Sequence, residues 1–248
     1  GPGLISDWTG DIEFQHVQFG YGPGNKVFQD LSIKIRKNSV TGIAGANGSG
    51  KSTIAGLLTR MYIPSKGKIQ IGGLDVMLLD LKDLRREISI LPQDIDIFTD
   101  SLIANIVMDD ANPDLRRVVE ICRLLGIDEW IEKWPQNYFE QLQESGTGLS
   151  GGQKQKIALA RSIYKKANYL ILDEPNTFLD QLGEQRLMKA IEMCKKEGKT
   201  IIVIVHNVEI LNKCDEIIFL KDGQAKEQGS HDQLMKLEGE YANLWIKG

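Results

Sequence analysis

The chain has 248 residues, 42% of them hydrophobic, with 30 lysines and arginines against 34 aspartates and glutamates. That length and apolar content support one large domain or two small ones around a sizeable core, and exclude disorder as the default. A net charge of -4 argues against a broad basic face, so no nucleic-acid partner is expected. Cys122, Cys194 and Cys214 are odd in number and widely spaced, no C-x-x-C occurs, and His16, His206 and His231 do not join them. Structural zinc and a disulfide framework are therefore not expected, and a reducing cytosol fits. The longest apolar run, Ile201 to Val205, is too short to cross a bilayer, and no signal peptide is visible. Gly1-Pro2-Gly3 reads as the scar of a cleaved tag, which would make the chain an excised piece of a longer protein.

Residues 12–19 and 27–36 read as strands joined by a turn over Gly20 to Asn25. The apolar run Val40 to Ala44 reads as a further strand. Directly after it comes Gly45-Ala46-Asn47-Gly48-Ser49-Gly50-Lys51-Ser52, which fits G-x-x-x-x-G-K-[ST] at every fixed position. Ile54, Leu57, Leu58 and Met61 then repeat with the period of one helix face. Residues 68–71 read as a strand. From about residue 83 to 164 the segments are short, charged and helical, as in Pro113 to Leu125, where Val118, Ile121, Cys122 and Leu125 share a face. Strands return at Tyr169 to Asp173 and Thr200 to Val205, with a helix carrying Leu187, Ile191 and Cys194 between them. A final helix over 231–246 is expected to bury Leu234, Leu237, Tyr241 and Leu244. Strand–helix–strand alternation implies right-handed crossovers and a parallel sheet. The expected fold is thus α/β: a parallel-sheet core with a phosphate loop (11–82 and 165–248), an N-terminal β-subdomain, and an inserted α-helical subdomain (83–164).

The glycine-rich loop lies between a strand and a helix, where its backbone N–H groups can wrap a phosphate. Lys51 adds a charge for the β- and γ-phosphates, and Ser52 offers a hydroxyl to Mg²⁺. Leu170-Ile171-Leu172-Asp173-Glu174 delivers two carboxylates to a strand's C-terminal end, where α/β sheets bind ligands. Asp173 would hold Mg²⁺ with Ser52, and Glu174 would act as general base on the attacking water. Leu149-Ser150-Gly151-Gly152-Gln153 opens another helix with a good N-cap residue. By its chemistry alone that is either a capped helix or a second anion site. Gln93 is either a plain loop glutamine or a contact to Mg²⁺ and water. His206 is either structural or catalytic, but it directly follows a core strand. Tyr21 could stack on adenine, with Phe19 competing for the role.

Together these segments resemble the nucleotide-binding domain of ABC transporters, from about residue 11 to 246. The order carries the resemblance: aromatic Tyr21, the phosphate loop, Gln93, the pentapeptide Leu149–Gln153, the acidic strand, Asp180 and His206. It implies ATP and Mg²⁺ as ligands, with Gly45, Asn47, Gly48, Ser49, Gly50, Lys51, Ser52 and Thr53 around the nucleotide. It implies a second copy of the domain, bound head to tail, whose Ser150, Gly151, Gly152 and Gln153 complete each ATP site. Asp180 would lie in the loop crossing that interface, His206 would sense the γ-phosphate, and Gln93 would sit at the hinge of the helical subdomain. Catalysis would fall to Glu174, His206, Lys51 and Gln93, with Ser52, Gln93 and Asp173 at the metal.

Phe98 to Ile106 and Glu144 to Gly148 resemble exporter segments, closest in feel to bacterial peptide, bacteriocin and protein exporters. That implies transmembrane domains as partners and a place at the cytoplasmic face of a membrane. Some positions depart from the exporter pattern. Pro175-Asn176-Thr177-Phe178 replaces the usual small residues, Pro175 leans toward importers, and Phe178 is bulky for an interface loop. Asn38-Ser39 replaces a usual Gly-Glu, Asn207 replaces an arginine that often follows the histidine, and Lys154 and Lys156 stand for arginines. An importer ATPase subunit, a soluble ABC ATPase and a non-catalytic regulatory module are the competing readings.

Overall fold

The computed structural model describes residues 9–246; the Gly1-Pro2-Gly3 segment lies outside them. β1 (Ile12–Gly22) and β2 (Asn25–Ile35) form an antiparallel hairpin. Its turn is tighter than expected, with only Pro23 and Gly24 outside the ladder and Gly24 at φ +82°. β3 (Val40–Gly45) runs into the phosphate loop and α1 (Thr53–Leu58). α1 ends a turn earlier than its periodicity predicts. The Tyr62 ring packs on Gly56, and the N–H groups of Met61 and Tyr62 both return to the Gly56 carbonyl. Met61, expected on the apolar face, is 66% exposed. β4 (Lys66–Ile71) and β5 (Leu74–Asp75) complete a sheet of order β2-β1-β4-β5.

α2 (Leu81–Glu87) and β6 (Ile88–Leu91) follow. β6 falls inside the stretch read as helical, yet it belongs to the main sheet. The helical segment proper holds α3 (Leu102–Val107), α4 (Leu115–Leu125), α5 (Asp128–Ile131) and α6 (Gly151–Tyr164). α4 buries Val118, Ile121, Cys122 and Leu125, as their spacing requires, and stops on Gly126 in the left-handed region. β7 (Tyr169–Asp173), α7 (Gln181–Lys196), β8 (Thr200–Ile204), α8 (Val208–Leu211), β9 (Glu216–Lys221) and β10 (Gln224–Gly229) come next.

The expected helix over 231–246 is two helices, α9 (His231–Lys236) and α10 (Glu240–Ile246). The Glu227 carboxylate on β10 accepts the N–H groups of Glu240 and Tyr241. Those are first-turn donors, so the carboxylate starts a new helix instead of letting the old one continue. Leu237 falls in the break and is 64% exposed; Leu244 is exposed too, while Leu234 and Tyr241 stay buried.

The main sheet has the order β10-β9-β3-β8-β7-β6. β9, β3, β8, β7 and β6 are parallel, and β10 closes one edge antiparallel. Residues alternate between two cores along each strand. Ile43, Ile171, Ile202 and Ile204 face α1 and the hairpin sheet. Ala44, Leu170, Leu172, Ile201 and Val203 face the helices α4, α6 and α7. A sheet covered on both faces needs continuous apolar strands, which is what the sequence supplies. The α/β class with an antiparallel N-terminal sheet is therefore the fold. The cysteines are buried free thiols, and burial pushes Cys122 and Cys214 up to about 12 and Cys194 up to about 11. No helix among the described residues is long and apolar enough to cross a membrane.

Candidate active site

Parallel strands end at one edge, so groups far apart in the chain meet there. β3 delivers the loop 45–52, β6 delivers Gln93, β7 delivers Asp173 and Glu174, and β8 delivers His206. They line a cavity of about 520 Å³, which Tyr21, Asn25 and Val27 of the hairpin wall off on one side. Asn47, Gly48, Gly50, Lys51, Ser52 and Thr53 lie on the same wall. Gly45 and Ser49 do not line it, and a Cβ at Gly45 would run into the Leu220 carbonyl and the Ser49 hydroxyl. Gly50 sits at φ +91°, and a Cβ there would meet the Phe28 ring at 2.7 Å, so glycine is required twice over.

Lys51 is tied to the loop it follows. Its Nζ donates to the carbonyls of Gly45 at 2.9 Å and Ala46 at 3.0 Å. Burial holds its pKa below the usual lysine range, against the pull of Glu174 and Asp173. α1 is only six residues long. Its dipole is correspondingly small, so the loop's own N–H groups and Lys51 are what the site offers an anion.

The residues present fit Mg²⁺. Burial pushes the Asp173 carboxyl up, partly offset by a hydrogen bond from Ser52 and by Lys51 and His206. Its Oδ1 is buried without a hydrogen-bond partner, as is the Ser49 hydroxyl oxygen. No cluster of three or more His, Cys, Asp or Glu suited to a metal occurs among the described residues. Mg²⁺ needs none, since it is commonly held by one or two carboxylates, substrate oxygens and water. The strain on Asp173 has a consequence for stability. Its folded pKa is raised, so ionisation costs stability, and that cost is present above the folded pKa and absent below the unfolded one. Asp173→Asn is expected to raise the unfolding midpoint of the nucleotide-free chain at pH 7. The gain should vanish as pH falls below the ordinary aspartate range; an unfolding series against pH in which the variant is never the more stable form rules this out.

Glu174 occupies the left-handed region at φ +48°, an uncommon place for a non-glycine residue. Its N–H donates to the Ile204 carbonyl at 2.9 Å, and its Oε1 lies 3.1 Å from His206 Nε2. Burial and the charge of Asp173 push its carboxyl up while Lys51 opposes them. Burial holds His206 below the usual histidine range, which favours the neutral ring. Gln155, 2% exposed on α6, donates from Nε2 to the Pro175 carbonyl at 2.9 Å and the Glu174 carbonyl at 3.4 Å. The sequence reading missed it. Its signal was a polar residue on the same helix face as the buried Ala158, Leu159 and Ser162.

Phe19 is buried at the base of the aromatic cluster, whereas Tyr21 is 54% exposed over the cavity. The Tyr21 hydroxyl meets the Thr53 hydroxyl at 2.8 Å, and its ring packs edge-on against Phe19 and Tyr62. Ser150, Gly151, Gly152 and Gln153 do not line the cavity. Ser150 caps α6 in a reciprocal box: its hydroxyl accepts from Gln153 N–H at 3.1 Å, and Gln153 Oε1 accepts from Ser150 N–H at 2.9 Å. Such a cap contributes about 1 kcal/mol. The exposed Phe178 packs on Gly151, where a Cβ would come within 2.9 Å of its ring. Asp180 caps α7, accepting the Gly183 N–H at 2.7 Å.

The chain matches the ABC transporter family over residues 28–177. An ATP-dependent lipid A-core flippase of Legionella pneumophila is 37% identical over 236 residues, which cover 95% of this chain and 40% of the flippase. A mitochondrial iron-sulfur clusters transporter, atm1, of Neurospora crassa is 38% identical over 242 residues, covering 95% of this chain and 34% of that protein. Among solved structures, a bacterial Atm1-family ABC exporter with ATP bound superposes with a TM-score of 0.93 at 33% identity, over 99% of this chain and 43% of the exporter. The chain thus spans less than half the length of these relatives. With its phosphate loop, acidic strand and histidine gathered at one sheet edge, the chain belongs to the ABC transporter family.

Proposed function

We propose that this domain hydrolyses ATP with Mg²⁺ to drive an exporter, closing head to tail with a second copy at the cytoplasmic face of a membrane beneath transmembrane domains. The observation that carries the reading is an incomplete site. Tyr21, the phosphate loop, Gln93, Asp173, Glu174 and His206 share one cavity, while Ser150–Gln153, at the α6 start, stand outside it. A partner's α6 start supplies what the cavity lacks over the γ-phosphate.

In this reading Tyr21 stacks on the base and the loop N–H groups and Lys51 bind the phosphates. Ser52 and Asp173, with Gln93 beside them, would hold Mg²⁺, and its positive charge would offset that of the phosphates. Glu174 takes a proton from the attacking water, and His206 orients its carboxylate. Catalysis is mostly positioning and charge stabilisation, as phosphoryl transfer requires. Pro175 favours an importer subunit, and nothing else among the described residues joins it.

The test is the ATPase rate against protein concentration, with Mg²⁺ and with EDTA. A Mg²⁺-dependent rate that rises faster than linearly is expected, because two chains build each site. ATP binding without turnover at any concentration favours the regulatory-module reading instead.

A further inference from the structure

Two of the departures from the exporter pattern meet on one side chain. Asn176 lies two residues after Glu174, and Asn207 lies one after His206. Asn176 Nδ2 donates to Glu184 Oε1 at 3.0 Å, and Asn207 Nδ2 donates to the same oxygen at 3.1 Å. Glu184 stands in the first turn of α7. Asn207 does double service, since its Oδ1 also caps α8 by accepting the N–H groups of Glu209 and Ile210.

The placement matters because the loops leave neighbouring strands. Asp173 pairs with Ile204 in the β7–β8 ladder, and the Glu174 N–H to Ile204 carbonyl bond is the next backbone tie. Beyond it two links join the loops. One is the Glu174–His206 contact inside the cavity. The other is the Glu184 carboxylate behind it, which accepts from both. One oxygen holding two donors cannot follow one loop without straining or releasing the other.

We propose that Glu184 is a positioning residue that locks the Glu174 loop to the His206 loop through Asn176 and Asn207, so that base and histidine move as one unit. The proposal rests on the ATPase reading above. It also accounts for the paired departures, because two neutral amides converge on a carboxylate in this chain.

The experiment uses Glu184→Ala, Glu184→Gln, Asn176→Ala and Asn207→Ser, the last keeping a good N-cap residue for α8. Glu184→Ala is expected to lower kcat at least about ten-fold, leaving KM and trinitrophenyl-ATP affinity within about two-fold, and Glu184→Gln to recover most of the rate, because its Oε1 still accepts. Amide hydrogen exchange reads the coupling without turnover. Asn176→Ala should speed exchange at 206–211, and Asn207→Ser should speed it at 174–179, since coupling between two loops is reciprocal. If each variant loosens only its own loop, or Glu184→Ala turns over like the unsubstituted chain, the lock is overturned while the ATPase reading stands. If the unsubstituted chain binds trinitrophenyl-ATP but never hydrolyses ATP, the ATPase reading fails, and the exchange arm alone decides whether the loops are locked.

Discussion

Glu174→Gln is expected to bind Mg-ATP as well as the unsubstituted chain does and to lose at least about a hundred-fold in kcat, the usual share of a general base. The side chain is nearly isosteric, and its carbonyl oxygen can still accept from His206 Nε2, which meets the Glu174 carboxylate at 3.1 Å. What disappears is the site for the water's proton. The surroundings prepare that site: burial and Asp173 push the Glu174 carboxyl up, which strengthens it as a base. The rate of the unsubstituted chain should accordingly rise with pH as this carboxyl ionises, and the variant should lose that limb. The amide also removes a charge repelled by Asp173, so the variant should be no less stable than the parent without nucleotide. Because ATP is then held but not cleaved, the variant should elute as an ATP-dependent dimer. Turnover near the normal rate would remove Glu174 from the role of base.

Lys51→Ala should act on the other half of the cycle and weaken ATP binding by roughly 10- to 150-fold, the equivalent of one charged hydrogen bond of about 1.5–3 kcal/mol. Lys51 is the cation that the site sets against Asp173, Glu174 and the incoming phosphates. Lys51→Arg should rescue little. The Gly45 and Ala46 carbonyls hold the ammonium at 2.9 and 3.0 Å from the base of the loop, a fit for a compact point donor and not for a planar fork. Titration with trinitrophenyl-ATP reads the loss directly; unchanged affinity in Lys51→Ala would show that the backbone alone binds the phosphates.

Much of the site was legible because its chemistry is local. The phosphate loop needs glycines at fixed offsets, and Gly50 has both a left-handed φ and no room for a Cβ beside Phe28. The Ser150 cap closes within one helical turn, so Ser150 could be read as an N-cap residue, and the structure adds Gln153 as its reciprocal partner. The core strands β3, β7 and β8 were legible because a sheet buried on both faces admits little but apolar residues, whereas β9, equally apolar, was missed. Errors came where a distant group outbid a local pattern. Tyr62 on Gly56 cut α1 short before Met61, and Glu227 broke the C-terminal helix at Leu237 by taking the donors of Glu240 and Tyr241. β6 looked helical in context because its partner β7 lies far along the chain, beyond any window of periodicity.

The sequence by itself therefore determined the candidate groups for chemistry, the α/β class and the family. Those properties reside in short windows and in residue types that few other structures require. Only the tertiary structure decided which groups meet. It left Tyr21 exposed over the cavity, buried Phe19, and set Gln155 under the Glu174 loop. It brought Asn176 and Asn207 to the same oxygen of Glu184. Each of these depends on hydrogen bonds or burial between residues separated by many positions, and a single sequence carries no record of distance.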